Sequence, residues 1–111
     1  MISFDEYQRL ARRTQNMNLS PEERERHALH GLASEVGEIH ALYQKVYQGH
    51  PFDEAHLLSE LGDLLWFMGE MADVYHVTLA EIAWRNIEKL RMRFPDGFSE
   101  EKSLHRAEGD I

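Results

Sequence analysis

Hydrophobic residues recur along this chain at the spacing of amphipathic helices, and no segment alternates between apolar and polar residues as a half-buried strand does. Capping residues, prolines and a glycine divide the pattern into four predicted helices, near residues 4–15, 21–48, 54–75 and 79–93. The second helix carries an apolar seam at Leu29, Leu32, Val36, Ile39, Tyr43 and Val46. The pattern therefore predicts an all-α, four-helix bundle-like fold.

The third predicted helix has a broader apolar surface than the second, because Trp66 and Phe67 extend its stripe of leucines and methionines. A bundle built from 111 residues cannot easily bury all of that surface, so we expect the chain to form an oligomer. We expect one helical domain over residues 1–98, followed by a polar C-terminal tail over residues 99–111.

Composition and charge exclude several classes of protein. Lysine and arginine number 12 against 20 acidic residues, and the net charge of −8 does not suit a protein that binds duplex nucleic acid. The absence of cysteine excludes disulfides, thiol nucleophiles and iron–sulfur clusters. No apolar run is long enough to span a membrane, and the polar N-terminus is unlike a signal peptide, so we expect a cytoplasmic protein.

A carboxylate motif occurs twice, as SEVGEI on the second helix and as SELGDL on the third. Because residues three apart share a helix face, Glu35 and Glu38 point to one side of the second helix. Glu60 and Asp63 do the same on the third helix, and the short connection should pack the two helices antiparallel. The glycine inside each copy is expected to let the two backbones approach closely.

The position of these acids on their helices points to a metal site. On a helical wheel, Glu35 and Glu60 fall within the apolar arcs of their helices, and the other two acids fall at the margins. Four carboxylates that converge on a partly buried site repel each other and must be protonated, paired or bound to cations. A set of oxygen ligands suits Mg²⁺, with Mn²⁺ as a substitute. A solvated run of acids is the alternative, but it would lie on the opposite face.

With these acids, the chain resembles the MazG-like all-α nucleoside triphosphate pyrophosphohydrolases, which carry E-x-x-E on one helix and E-x-x-D on the next. The resemblance extends from Tyr7 to about Arg106 and includes the segment from Asn86 to Pro95. It implies hydrolysis of a (deoxy)nucleoside triphosphate to the monophosphate and pyrophosphate, by a homotetramer built as a dimer of dimers. It also implies magnesium ligands at Glu35, Glu38, Glu60 and Asp63. Many members have another acid where this chain has Ser34, which leaves the number of metal ions open.

Further roles follow from position and resemblance together. Glu35 lies deepest on its helix and is the candidate for activating water. Asn86, Lys89 and Arg93 share one face of the fourth helix, and the resemblance places phosphate contacts on this segment. A solvated basic turn favoured by the helix dipole is the alternative reading of that face. Phe67, one turn beyond the last acid, could stack on the nucleobase or serve as a packing aromatic.

A function from a different class is also open, namely a non-catalytic, metal-stabilised helical module for oligomerisation or protein interaction. Its acids would bind a metal only to hold the oligomer together. Metal-dependent nucleotide binding distinguishes the enzyme from this module. Two other enzyme classes are excluded, because the chain has neither the E-x-x-H pairs of di-iron bundles nor a phosphate-binding G-x-x-x-x-G-K-[ST] loop.

Overall fold

A computed structural model describes all 111 residues of the chain. Its five helices are α1 (Phe4–Arg12), α2 (Pro21–Tyr47), α3 (Glu54–Val74), α4 (Leu79–Arg93) and α5 (Glu100–Leu104). No β-strand is present, so the predicted all-α class is confirmed. None of the helices combines the length and hydrophobicity that a membrane crossing requires.

Helix ends follow the capping residues in the sequence. Ser20 accepts a hydrogen bond from the backbone N–H of Glu23 at 3.1 Å, and the Glu23 side chain accepts one from the Ser20 N–H at 3.0 Å. This capping box starts α2, and the Asp53 carboxylate caps α3 by accepting from the backbone N–H of His56. The predicted ends of α2, α3 and α4 therefore agree closely with the structure.

Helix α1 is shorter than predicted, because it ends at Arg12 and not near residue 15. After Arg12 the chain turns more tightly, and the N–H groups of the next three residues donate to carbonyls three positions back. The turn carries the Gln15 side chain inward, where its amide donates to Asp73 at 2.6 Å. A tertiary contact overrides the helical periodicity of this segment.

The chain divides into two compact units, Met1–Leu79 and Ala80–Ile111. In the first unit, α2 and α3 form the largest helix–helix interface, and α1 packs against α3. The second unit contains α4 beyond its first residue, a turn at residues 94–98, α5 and the C-terminal segment. The predicted boundary at residue 98 stays a prediction.

One glycine of α2 allows a close approach between α2 and α3. A Cβ atom at Gly31 would collide with the ring of Phe67, so only glycine lets the ring lie against α2 at this point. The sequence analysis placed this role on the glycines inside the two acid motifs, and that prediction is wrong. A Cβ atom at Gly37 or Gly62 would meet nothing within 4 Å, because both glycines lie on exposed sides of their helices.

The apolar seam predicted on α2 packs only in part inside the chain, because Leu32 and Ile39 are half-buried and its other residues are exposed. Leu29, Val36 and Tyr43 are 56%, 43% and 50% exposed. The buried face of α2 lies beside that seam and includes Ala28 and Leu42. This neighbouring face carries the small residues that let α3 approach, and it leaves most of the seam on the surface of the first unit.

Asp73 of α3 fastens α1 to the rest of the first unit. Its carboxylate accepts hydrogen bonds from the side chains of Gln8 at 2.8 Å, Arg12 at 2.8 Å and Gln15 at 2.6 Å. Burial raises the pKa of Asp73, but the hydrogen bonds from these three side chains lower it by more, so the net shift is downward. Gln8 is itself buried, and its amide oxygen accepts from the Leu79 N–H at 2.8 Å.

Candidate metal centre and adjoining cleft

The α2–α3 interface brings together three of the four acids that the sequence singled out. Glu35 comes from α2, and Glu60 and Asp63 come from α3; one carboxylate oxygen of each lies within 4.8 Å of the others. We call these three residues the acid cluster. Glu38 lies outside this group, although its charge contributes to the raised pKa of Glu35. The structure therefore brings together three of the four acids that were predicted to converge, one from the first copy of the motif and two from the second.

The acids of this cluster share a proton in the metal-free protein. The pKa of Glu35 is raised to about 7, first by a hydrogen bond with Glu60, then by burial, and then by the charges of Glu60, Asp63 and Glu38. The pKa of Glu60 is lowered, because Glu60 accepts that hydrogen bond and another from His56. Of the two acids, Glu35 therefore keeps its proton to higher pH and Glu60 ionises first.

The cluster has few donors of its own, and this suits a bound cation. The His56 ring nitrogen Nε2 lies 3.0 Å from Glu60 Oε1, and no lysine or arginine forms an ion pair with any of the four acids. The second oxygen of Glu35, Oε2, is buried without a hydrogen-bond partner. Converging carboxylates with an orphaned buried oxygen are the donor set that a hard divalent cation takes. The residues therefore fit Mg²⁺ or Mn²⁺.

A cleft of about 250 Å³ adjoins the cluster and is lined by Glu35, Asp63, Trp66 and Phe67. Two acids and two aromatic rings thus face one space, which could take the metal-bound phosphates and the base of a nucleotide. Phe67 lies where the sequence analysis placed it, beside Asp63. Trp66, which was predicted only to broaden the apolar surface of α3, also lines the cleft.

His27 and Glu70 lie behind Trp66 and Phe67, the two rings that form the aromatic wall of the cleft, and neither was predicted as a site residue. Glu70 is 1% exposed, and its Oε1 lies 2.6 Å from His27 Nδ1. The His27 ring in turn lies 5.6 Å from the Phe67 ring and 6.3 Å from the Trp66 ring, measured between centroids. A signal was present, because Glu70 is three residues beyond Phe67 on the same face of α3 as the acids.

The three residues predicted to contact phosphate all lie on α4, in the second unit. Asn86 and Lys89 are exposed. Arg93 is not free, since its guanidinium forms two hydrogen bonds to the Asp110 carboxylate, at 2.8 and 2.7 Å. This pairing joins positions on either side of α5, and the helical face of α4 alone could not predict it.

The chain was compared with known families and structures. The family model for the MazG nucleotide pyrophosphohydrolase domain matches residues 23–98, about two thirds of the chain. The match includes both acid motifs, the aromatic wall and α4, and it leaves out α1 and α5. No curated protein and no solved structure matches the chain significantly.

Proposed function

The chain belongs to the MazG nucleotide pyrophosphohydrolase family, and on this premise we propose that it hydrolyses a nucleoside or deoxynucleoside triphosphate to the monophosphate and pyrophosphate. The family acts on nucleoside triphosphates and uses divalent metals. The observation that carries the proposal for this chain is the acid cluster: its three carboxylates converge with no lysine or arginine partner at the wall of an aromatic cleft.

The proposed metal ligands are the four motif acids, Glu35, Glu38, Glu60 and Asp63. Mg²⁺ is the proposed ion, with Mn²⁺ as a substitute, because all of these ligands offer hard oxygen atoms. When bound, a divalent ion supplies the positive charge that an acidic protein lacks for a triphosphate, and it lowers the pKa of water. His56 holds Glu60 in place through the 3.0 Å contact between the two side chains.

Glu35 is the proposed acceptor of the proton that water releases as it attacks the α-phosphorus. A new phosphorus–oxygen bond forms, the bond from that phosphorus to the bridging oxygen breaks, and pyrophosphate leaves with the bridging oxygen. The hydrogen bond with Glu60 and burial raise the pKa of Glu35 to about 7. A bound divalent cation would offset the repulsion from the neighbouring acids and favour the ionised form of Glu35, which is the form that accepts a proton from water.

The remaining site residues are proposed to hold the substrate. Phe67, on the wall of the cleft, stacks against the nucleobase or sugar. Lys89 and Arg93 supply positive charge to the β- and γ-phosphates, and Asn86 supplies amide hydrogen bonds. The family resemblance of this α4 segment, which lies within the matched residues, supports these roles.

We also propose that the chain assembles as a homotetramer, a dimer of dimers, through the apolar faces left exposed on α2 and α3. These faces include Leu29, Val36 and Tyr43 on α2 and Leu58 and Met68 on α3, each more than 40% exposed. Exposed apolar surface of this extent is typical of a subunit interface. Multi-angle light scattering at micromolar protein concentration tests the assembly, and a monomeric mass would contradict it.

The reaction itself is tested by product analysis with a panel of ribo- and deoxynucleoside triphosphates, with Mg²⁺ and with a chelator. We expect monophosphate and pyrophosphate, formed only when metal is present. Diphosphate and orthophosphate would mean a different cleavage position and would contradict the mechanism. No turnover of any nucleotide would favour the non-catalytic metal-stabilised module, which the family match does not favour.

A further inference from the structure

The C-terminal segment of the second unit returns to α4 and engages Arg93. The guanidinium of Arg93 donates from Nε to Asp110 Oδ2 at 2.8 Å and from a terminal nitrogen to Asp110 Oδ1 at 2.7 Å. The two side chains are 11% and 12% exposed, so this ion pair is largely shielded from water. A bidentate pair of this kind is among the stronger polar contacts in proteins.

Two further cations, Arg106 and Lys89, act on Asp110, and a second acid, Glu108, lines the adjoining cavity. The pKa of Asp110 is lowered, first by the hydrogen bonds from Arg93, and further by the charges of Arg106 and Lys89. A cavity of about 300 Å³ lies beside the pair and is lined by Lys89, Met92 and residues 107–111. Lys89 therefore faces the same space as the segment that carries Asp110.

The carboxylate of Asp110 occupies one edge of the Arg93 guanidinium, formed by Nε and one terminal nitrogen, and a phosphate can use the same edge. Two carboxylate oxygens on one guanidinium edge reproduce the fork-to-fork geometry in which arginine binds two oxygens of a phosphate. Arg93 is also one of the residues proposed above to contact the polyphosphate. Its Nε edge cannot bind Asp110 and a phosphate in the same way at the same time.

We propose that Asp110 is an internal competitor for the polyphosphate of the substrate: it holds Arg93 in the free protein and is displaced when the phosphates bind. This inference rests on the proposed function and adds an affinity-determining residue to it. The competitor is tethered, so its effective concentration is high, and part of the binding free energy of the substrate is spent on displacing it. A polyphosphate carries several negative charges against the single charge of Asp110, which favours displacement of the carboxylate.

The substitution Asp110→Asn removes the charge and keeps the shape of the side chain. We expect KM for the preferred triphosphate to fall about fivefold with little change in kcat. In this variant no charged carboxylate holds Arg93, so the substrate no longer spends binding free energy on displacing one. Glu108→Gln is the matched control, since Glu108 lines the same cavity and carries the same charge but forms no ion pair. KM should change less than about twofold in the control.

Two measurements without turnover complete the test. Calorimetric titration with inorganic tripolyphosphate and Mg²⁺ should show about fivefold tighter binding to Asp110→Asn than to the wild type. Hydrogen–deuterium exchange of the unmodified protein should show faster exchange in residues 107–111 when tripolyphosphate is added. The second measurement needs no variant, so it decides the question even if Asp110→Asn folds poorly.

The outcomes separate this inference from the proposed function. Unchanged or weaker tripolyphosphate binding by Asp110→Asn, with no change in exchange of residues 107–111, would overturn the competitor and leave Asp110 a structural residue. If the wild type still formed pyrophosphate in that case, the proposed function would stand. If no nucleotide were hydrolysed but tripolyphosphate increased the exchange of residues 107–111, the competition between Asp110 and polyphosphate would be supported. The proposed reaction would then be wrong.

Discussion

Asp63 and Asp73 lie on the same helix, α3, but their surroundings are opposite. Asp73 receives hydrogen bonds from three side chains, those of Gln8, Arg12 and Gln15, and its pKa is lowered. The protein itself neutralises this carboxylate, and the resulting contacts fix α1 to α3. Most of the hydrogen-bond acceptor capacity of this carboxylate is therefore used within the protein.

Asp63, in contrast, lies among other acids. Glu35 and Glu60 offer oxygens within 4.8 Å of it, and their repulsion contributes to the raised pKa of Glu35. The protein gives the cluster only the contact from His56 and leaves one buried oxygen of Glu35 without a partner. Helix α3 thus carries one carboxylate that the protein itself pairs and, two to three turns away, a group of converging carboxylates without a lysine or arginine partner.

The largest expected effect is on turnover. Asp63→Ala should reduce kcat at least about 100-fold, because it removes a metal ligand beside the cleft, while the circular dichroism spectrum stays helical. Loss of a repelling charge should leave thermal stability equal or higher. Wild-type turnover in this variant, measured as pyrophosphate release under saturating Mg²⁺, would break the assignment of the cluster.

The second largest effect is expected at Asp73, where a substitution should lower stability and leave turnover nearly unchanged. Asp73→Ala leaves the donors of Gln8 and Gln15 without their acceptor and should lower the free energy of unfolding by about 2–4 kcal/mol. Urea denaturation followed by circular dichroism measures this loss. At a temperature where the variant is folded, kcat should stay within about threefold of the wild type. An Asp73→Ala variant that is as stable as the wild type but inactive would contradict the division between a structural carboxylate at Asp73 and a functional acid cluster.

The two regions should also respond to pH with opposite signs. The pKa of Glu35 in the folded protein, about 7, lies above the ordinary value of 4.5, so its favourable contribution is lost as pH rises through 7. The pKa of Asp73 lies below the ordinary value of 3.8, so its contribution is lost as pH falls through its folded-state pKa. Denaturation of chelator-treated protein across pH 3–9, compared with Glu35→Gln, checks both signs. A variant with the wild-type slope between pH 5 and 8 would contradict the shared proton.

The smallest effects concern the aromatic wall. Gly31→Ala places a methyl group where the Phe67 ring lies and should cost about 1–3 kcal/mol of stability while raising KM more than it lowers kcat. Gly37→Ala is the matched control, because its Cβ meets no atom within 4 Å and alanine favours the helix by up to about 1 kcal/mol. Equal melting temperatures for the two variants would mean that Phe67 does not need the close approach to α2.

The sequence predicted features that depend on local spacing. Helix ends at Ser20 and Asp53 follow from capping, and the convergence of Glu35 with Glu60 follows from a repeated motif on two helices joined by a short connection. These inferences require only the helical repeat and the short connection between α2 and α3. Metal binding and the roles of Glu38 and the α4 residues stay predictions.

The sequence could not predict contacts between distant positions. Gln8 and Asp73 are 65 residues apart, and His27 and Glu70 are 43 apart, so no periodicity links them. The exposure of most of the α2 seam could not be predicted for a related reason: a helical wheel shows which residues share a face, but not which face the neighbouring helix covers. Arg93 looked free because its partner comes from beyond α5.

The most direct test of the central claim is a Mn²⁺ titration of the protein without nucleotide, followed by electron paramagnetic resonance of the free ion. Wild type, Asp63→Asn and Asp73→Asn are compared under conditions where all three are folded. The account predicts that the wild type and Asp73→Asn bind Mn²⁺ alike and that Asp63→Asn binds it at least about tenfold more weakly. Equal binding by Asp63→Asn and the wild type would contradict the claim that the acid cluster is the metal centre.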